Sequence, residues 1–151
     1  MTMIDLEEYL KTEQWLDRAF KLNTEYQHLK REIRRLELEA TSVVSPPGHG
    51  GKSSVPSDKV GRAATKIADE QVRLRGMMIR IIELKQDIRD TIMRYTETPR
   101  HEEALLRRYV EFQRWEDIAE DMMYEAKYIY TLRRQGIEQI TVNKGKGLLQ
   151  K

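Results

Sequence analysis

The 151-residue sequence predicts an all-α protein: a long antiparallel helical hairpin of coiled-coil character, followed by a C-terminal three-helix helix-turn-helix unit. Three observations carry this. Two long stretches repeat apolar residues in alternating steps of four and three, the signature of a helical seam. Three of the four prolines gather with glycine and serine between those stretches. After residue 100 the apolar rhythm shortens into three brief helical patterns.

Composition supports long amphipathic elements. Hydrophobic residues make up 39% of the chain and charged residues 34%, so the apolar side chains must form stripes on charged helices. With no cysteine, disulfides and thiolate metal sites are excluded. Residues 1–10 are acidic and read as no signal peptide, and no run approaches ~18 apolar residues, so a cytoplasmic protein without a membrane span is expected. A net charge of +2 says little by itself.

The first helix is expected over residues 3–40, free of Gly and Pro, with the seam Trp15, Ala19, Leu22, Tyr26, Leu29, Ile33, Leu36 and Ala40. Residues 41–57 read as a mobile loop at the far end of the hairpin. Within it, Gly51-Lys52-Ser53 looks like the end of a phosphate-binding loop. The glycine such a loop needs is Pro46 here, and a helix rather than a strand precedes it, so nucleotide binding is set aside.

Ser57-Asp58 offers an N-cap for the second helix, expected over residues 58–97. Its seam reads Val60, Ala64, Ile67, Gln71, Leu74, Met78, Ile81, Lys85, Ile88, Ile92 and Tyr95, with Gln71 and Lys85 as polar positions that would fix register or partner. Pro99 sets its end. From Val72 to Leu84 this helix is apolar on several faces, which calls for cover on more than one side. The cover is either a second subunit or the C-terminal domain, and a second subunit, giving a homodimer, is preferred.

In the C-terminal part, Ala104, Leu105, Tyr109 and Val110 mark one helix, Ile118, Ala119 and Met122 a second, and Ile129, Leu132, Gly136 and Ile140 a third. With Trp115 as the first position of a helix-turn-helix, the small residue needed where the helices cross falls on Ala119. The core positions fall on Ile118, Met122, Tyr124, Ile129 and Leu132. The turn position that usually holds glycine is Met123, so a longer or differently shaped turn is expected. The unit spans 98–142, after a hairpin domain of 1–97 and before a flexible basic tail of 143–151.

Charge divides sharply here. Residues 101–125 carry eight acidic and three basic side chains, net −5, whereas 126–151 carry one acidic and six basic, net +5. Such a third helix would be drawn to a phosphate backbone. The candidate DNA contacts are Lys127, Tyr128, Tyr130, Thr131 and Arg134 on the exposed face, with Arg133 and Arg114 on phosphate; Tyr124 reads as core. The acidic surface of 102–121 would face away from DNA, towards a protein such as RNA polymerase.

The strings Leu105-Leu106-Arg107-Arg108-Tyr109, Trp115-Glu116-Asp117-Ile118-Ala119-Glu120-Asp121-Met122 and Tyr128-Ile129-Tyr130-Thr131-Leu132 resemble region 4 of bacterial sigma factors. More closely, they resemble small phage and prophage regulators of the RinA and ArpU type, over roughly residues 100–140. The resemblance implies transcriptional regulation of phage late or packaging genes, double-stranded DNA as partner and host RNA polymerase as a possible second one. A phage small terminase subunit is a competing expectation, and a coiled-coil interaction protein without DNA binding is another. His28, His49 and His101 lie on separate elements without carboxylates at ligand spacing, so no metal site is expected. No nucleophile-base arrangement can be named, so neither enzymatic activity nor a cofactor is expected.

Overall fold

The computed structural model describes residues 4–42 and 57–146. These residues are all-helical and form α1 (Leu6–Leu16), α2 (Arg18–Ser42), α3 (Ser57–Tyr95), α4 (Pro99–Tyr109), α5 (Trp115–Asp121) and α6 (Ala126–Lys146). The expected mobile loop falls, but for its edges, outside the described residues, as does the end of the expected basic tail, 147–151. Among the described residues no helix is long and apolar enough to cross a membrane.

The described residues form two compact units, one within 22–80 and the other within 1–21 and 81–151. This differs from a hairpin domain ending at 97, because α1 packs on α6 rather than serving only as an extension of the hairpin.

In the 22–80 unit, α2 and α3 run antiparallel. Leu36, Glu39 and Ala40 near the end of α2 line one groove with Lys59, Val60 and Ala63 near the start of α3. Gln71 Nε2 donates to Glu37 Oε1 at 3.4 Å. The α2 seam falls as the sequence predicts: Ile33 is buried, and Leu22, Tyr26, Leu29, Leu36 and Ala40 are half-buried. The α3 seam is shifted. Ala63, Ile67, Glu70, Leu74 and Met77 are the half-buried positions, whereas Val60, Ala64, Gln71 and Met78 are exposed. A 3.6-residue period places both i+3 and i+4 beside the same ridge, and the charged Glu70 hides the true alternative. Gln71 therefore lies outside the seam.

The predicted single helix over 3–40 is interrupted at Asp17, the C-cap of α1. Arg18 Nε donates to the Trp15 carbonyl at 3.1 Å, a side-chain intrusion of the kind that bends helices. At the other end Asp5 caps α1, its carboxylate accepting from the Glu7 N–H at 3.0 Å. Leu16 and Ala19 are fully buried, as are Ile88 and Ile92 of α3. Lys85, expected as a polar seam residue that selects a partner, is half-buried with its ammonium 4.6 Å from the centre of the Phe112 ring.

Thr98 caps α4, with Pro99 in the first turn, where a missing N–H costs nothing. α6 continues past the expected boundary at 142. Asn143 is buried and its Nδ2 donates to the Tyr95 carbonyl at 2.9 Å and to Glu97 Oε1 at 3.2 Å. Residues 143–146 are thus helix and not tail, because the buried amide needs those partners.

Candidate nucleic-acid interface

α4, α5 and α6 close around a small apolar core. Leu105, Ile118, Ile129, Leu132, Ile137 and Ile140 have no exposed surface, and Ala104 and Ala119 fill the crossings. Met122 and Tyr124, the other predicted core positions, are half-buried. Gly136 lets α6 approach α4: a Cβ there would lie 2.8 Å from Leu105 Cδ1. Trp115 is 8% exposed, with Tyr109 edge-on at 6.2 Å and Tyr130 at 6.2 Å. His101 is fixed by Thr98 and Gln135. Thr98 Oγ1 accepts from the His101 backbone N–H, so its own proton suits Nδ1, leaving Nε2–H to donate to Gln135 Oε1 at 2.9 Å. The group is a structural clip between α4 and α6, and among the described residues no cluster of His, Asp or Glu could hold a metal.

The turn between α5 and α6, expected to be longer or differently shaped, accommodates the bulky residue without lengthening. It has four residues, and Met123 takes the left-handed conformation itself, at φ 62°. The Tyr124 N–H donates to the Ala119 carbonyl at 2.8 Å and the Met123 N–H to the Glu120 carbonyl at 3.1 Å. This pair of bonds is the Schellman arrangement, which usually places glycine where Met123 stands. The methionine side chain is 90% exposed, so only the backbone resists the conformation.

On α6, Lys127, Tyr130 and Arg134 are exposed and Thr131 is half-buried beside them. Spaced at 127, 130, 131 and 134, they share one helix face. Tyr128 lies to one side. Its hydroxyl accepts from Arg100 Nη1 at 2.9 Å, and its ring meets Tyr124 edge-on at 4.9 Å. The Arg100–Tyr128 bond links residues 28 apart, and no spacing rule connects them, so sequence reading missed Arg100. Arg114 sits at the N-cap of α5, exposed, with Nε 3.1 Å from Asp117 Oδ2. That guanidinium holds the Asp117 carboxyl below its ordinary pKa.

Arg133 is not on the exposed face. Its Nη2 bridges to Glu13 Oε1 on α1 at 3.0 Å, and its guanidinium lies 5.4 Å from the Trp115 ring centre. Burial opposes its charge, but Tyr109, Glu13 and Tyr9 around it raise the pKa overall. Further along the same α1–α6 contact, Thr141 Oγ1 donates to Thr12 Oγ1 at 2.8 Å, and Lys144 lies over Trp15 at 4.7 Å. Arg133 is therefore the joint between α1 and α6, because a planar cation stacked on indole and paired with a carboxylate is better satisfied inward than in water.

The acidic side chains Glu116, Glu120 and Asp121 are exposed on α5, and Arg107 ties Asp121 to α4 at 3.4 Å. Comparison with protein-family models, curated proteins and solved structures finds no significant match.

Proposed function

We propose that this chain is a sequence-specific double-stranded-DNA-binding regulator of transcription. In this reading it activates phage late or packaging genes, as expected of the RinA and ArpU type that residues 100–140 resemble. The observation that supports it is the pairing of a four-residue helix-turn-helix turn with an open α6 face carrying Lys127, Tyr130, Thr131 and Arg134. α6 enters the major groove with the first turns of this face, Arg134 and Lys127 read guanine edges, and Thr131 meets a thymine methyl group. One such unit covers roughly 600–1,000 Å² on DNA. Two units in a homodimer supply the remaining specificity, and the exposed Val72, Ile79 and Ile82 of α3 favour self-association. The acidic surface of α4 and α5, kept away from phosphate, faces RNA polymerase.

Selection of binding sites from a random duplex pool, followed by footprinting and transcription with host polymerase, tests this. A protected inverted or direct repeat with raised transcript supports the reading, and protection without any change in transcript removes the regulatory part. A ring of eight or more subunits in solution would point to DNA packaging instead. Absence of salt-dependent DNA affinity would leave a helical interaction protein.

A further inference from the structure

The exposed face of α6 has two unlike borders. At about 100° per residue, Arg133 and Lys144 lie on one border, where α1 is docked through Glu13 and Trp15. Tyr128, Gln135 and Gln139 lie on the other, held to Arg100, His101 and the Glu97 N–H. On the α1 border the charges are already matched: Arg133 is committed to Glu13, Lys11 pairs with Glu7 and Glu8, and Lys144 lies over Trp15. The opposite border brings an exposed guanidinium beside the first turn of α6. Arg100 Nη1 donates to the Tyr128 hydroxyl at 2.9 Å, and Tyr128 is itself braced by Tyr124. Both tyrosines raise the Arg100 pKa, the hydroxyl bond of Tyr128 most.

We infer that Arg100, aimed by Tyr128, is a phosphate contact that holds one strand of the duplex beside the first turn of α6. The inference rests on the DNA-binding reading and adds to it two residues with distinct parts. Arg100 carries the charge; Tyr128 is a positioning residue that reduces the side-chain freedom lost when Arg100 meets phosphate. An arginine with its other guanidinium nitrogens open to solvent keeps donors for a phosphate oxygen while one nitrogen stays on the hydroxyl.

Fluorescence anisotropy with a labelled random-sequence duplex, titrated over salt, separates the possibilities for the full chain. The variants are Arg100→Ala, Arg100→Lys and Tyr128→Phe. Arg100→Ala is expected to reduce the steepness of log K against log salt by about 0.9, one phosphate. Arg100→Lys restores the slope. Tyr128→Phe keeps the slope, since the charge remains, and weakens binding about two- to tenfold. Thermal melting of each variant should match the parent, because both side-chain ends are at the surface. An unchanged slope in Arg100→Ala, with the parent binding DNA normally, overturns the inference and leaves the DNA reading intact. A parent with no salt-dependent affinity overturns both. A slope lost in Tyr128→Phe as fully as in Arg100→Ala overturns the division of roles.

Discussion

Met123 stands in a backbone conformation that costs an L-residue roughly 1–2 kcal/mol, and its exposed side chain gains little in return. Met123→Gly removes the cost but adds unfolded-chain entropy, so a net gain of about 0.5–1 kcal/mol is expected. A higher midpoint in thermal unfolding checks this, and a lower one would mean that the methionine makes a contact outside the monomer. Phe112 takes the same kind of conformation at φ 61°, but its ring is held edge-on by Phe20 at 5.7 Å and capped by Lys85. The two positions look alike in φ and differ in what the side chain contributes.

Among the elements, α6 carries two neighbouring arginines with opposite assignments. Arg134 is exposed on the open face, whereas Arg133 is turned inward to Glu13 and Trp115. Arg134→Ala is expected to cost ~1–3 kcal/mol of binding to a selected site and to relax one base pair, without lowering the melting temperature. Arg133→Ala is expected to cost about 1–3 kcal/mol of folding stability by leaving Glu13 unpaired and removing one cation from the Trp115 ring. The salt slope should hardly change. If Arg133→Ala flattened that slope at unchanged stability, the guanidinium would have left α1 to meet phosphate.

For the whole molecule, two perturbations probe the two units separately. Ile33→Asp places a carboxylate at a buried seam position of the 22–80 unit and is expected to melt that unit. Circular dichroism should show lost helix, and a wild-type spectrum and melting curve would refute the seam. Alkaline pH probes the other unit through Tyr109, whose hydroxyl is pushed above its ordinary pKa by burial, against the opposing pull of Arg133. Tyr9 shifts the same way, also first by burial. The folded state then holds the proton more tightly than the unfolded chain. The stabilisation is complete below the unfolded value, near pH 10, and is lost as pH rises through the folded one. The melting temperature should therefore fall above about pH 10, and fall less in Tyr109→Phe. A flat profile would contradict the burial.

The helical class, the hairpin pairing, and the placement of Ile118, Ala119, Ile129 and Leu132 in the core were legible in the sequence, because these follow from local periodicity and the small volume at a helix crossing. The exposed face with Lys127, Tyr130 and Arg134 followed from the same period. Tertiary structure alone decided the rest. It committed Arg133 to Glu13, 120 residues away, and Arg100 to Tyr128. It broke the first helix at Asp17, moved the α3 seam from Gln71 to Glu70, and extended α6 through a buried Asn143. Each of these is a choice between near-equal local options, i+3 against i+4 or an arginine turned in against out. Local sequence leaves such options within about a kcal/mol of each other, and the partner that tips them arrives only when distant parts of the chain pack.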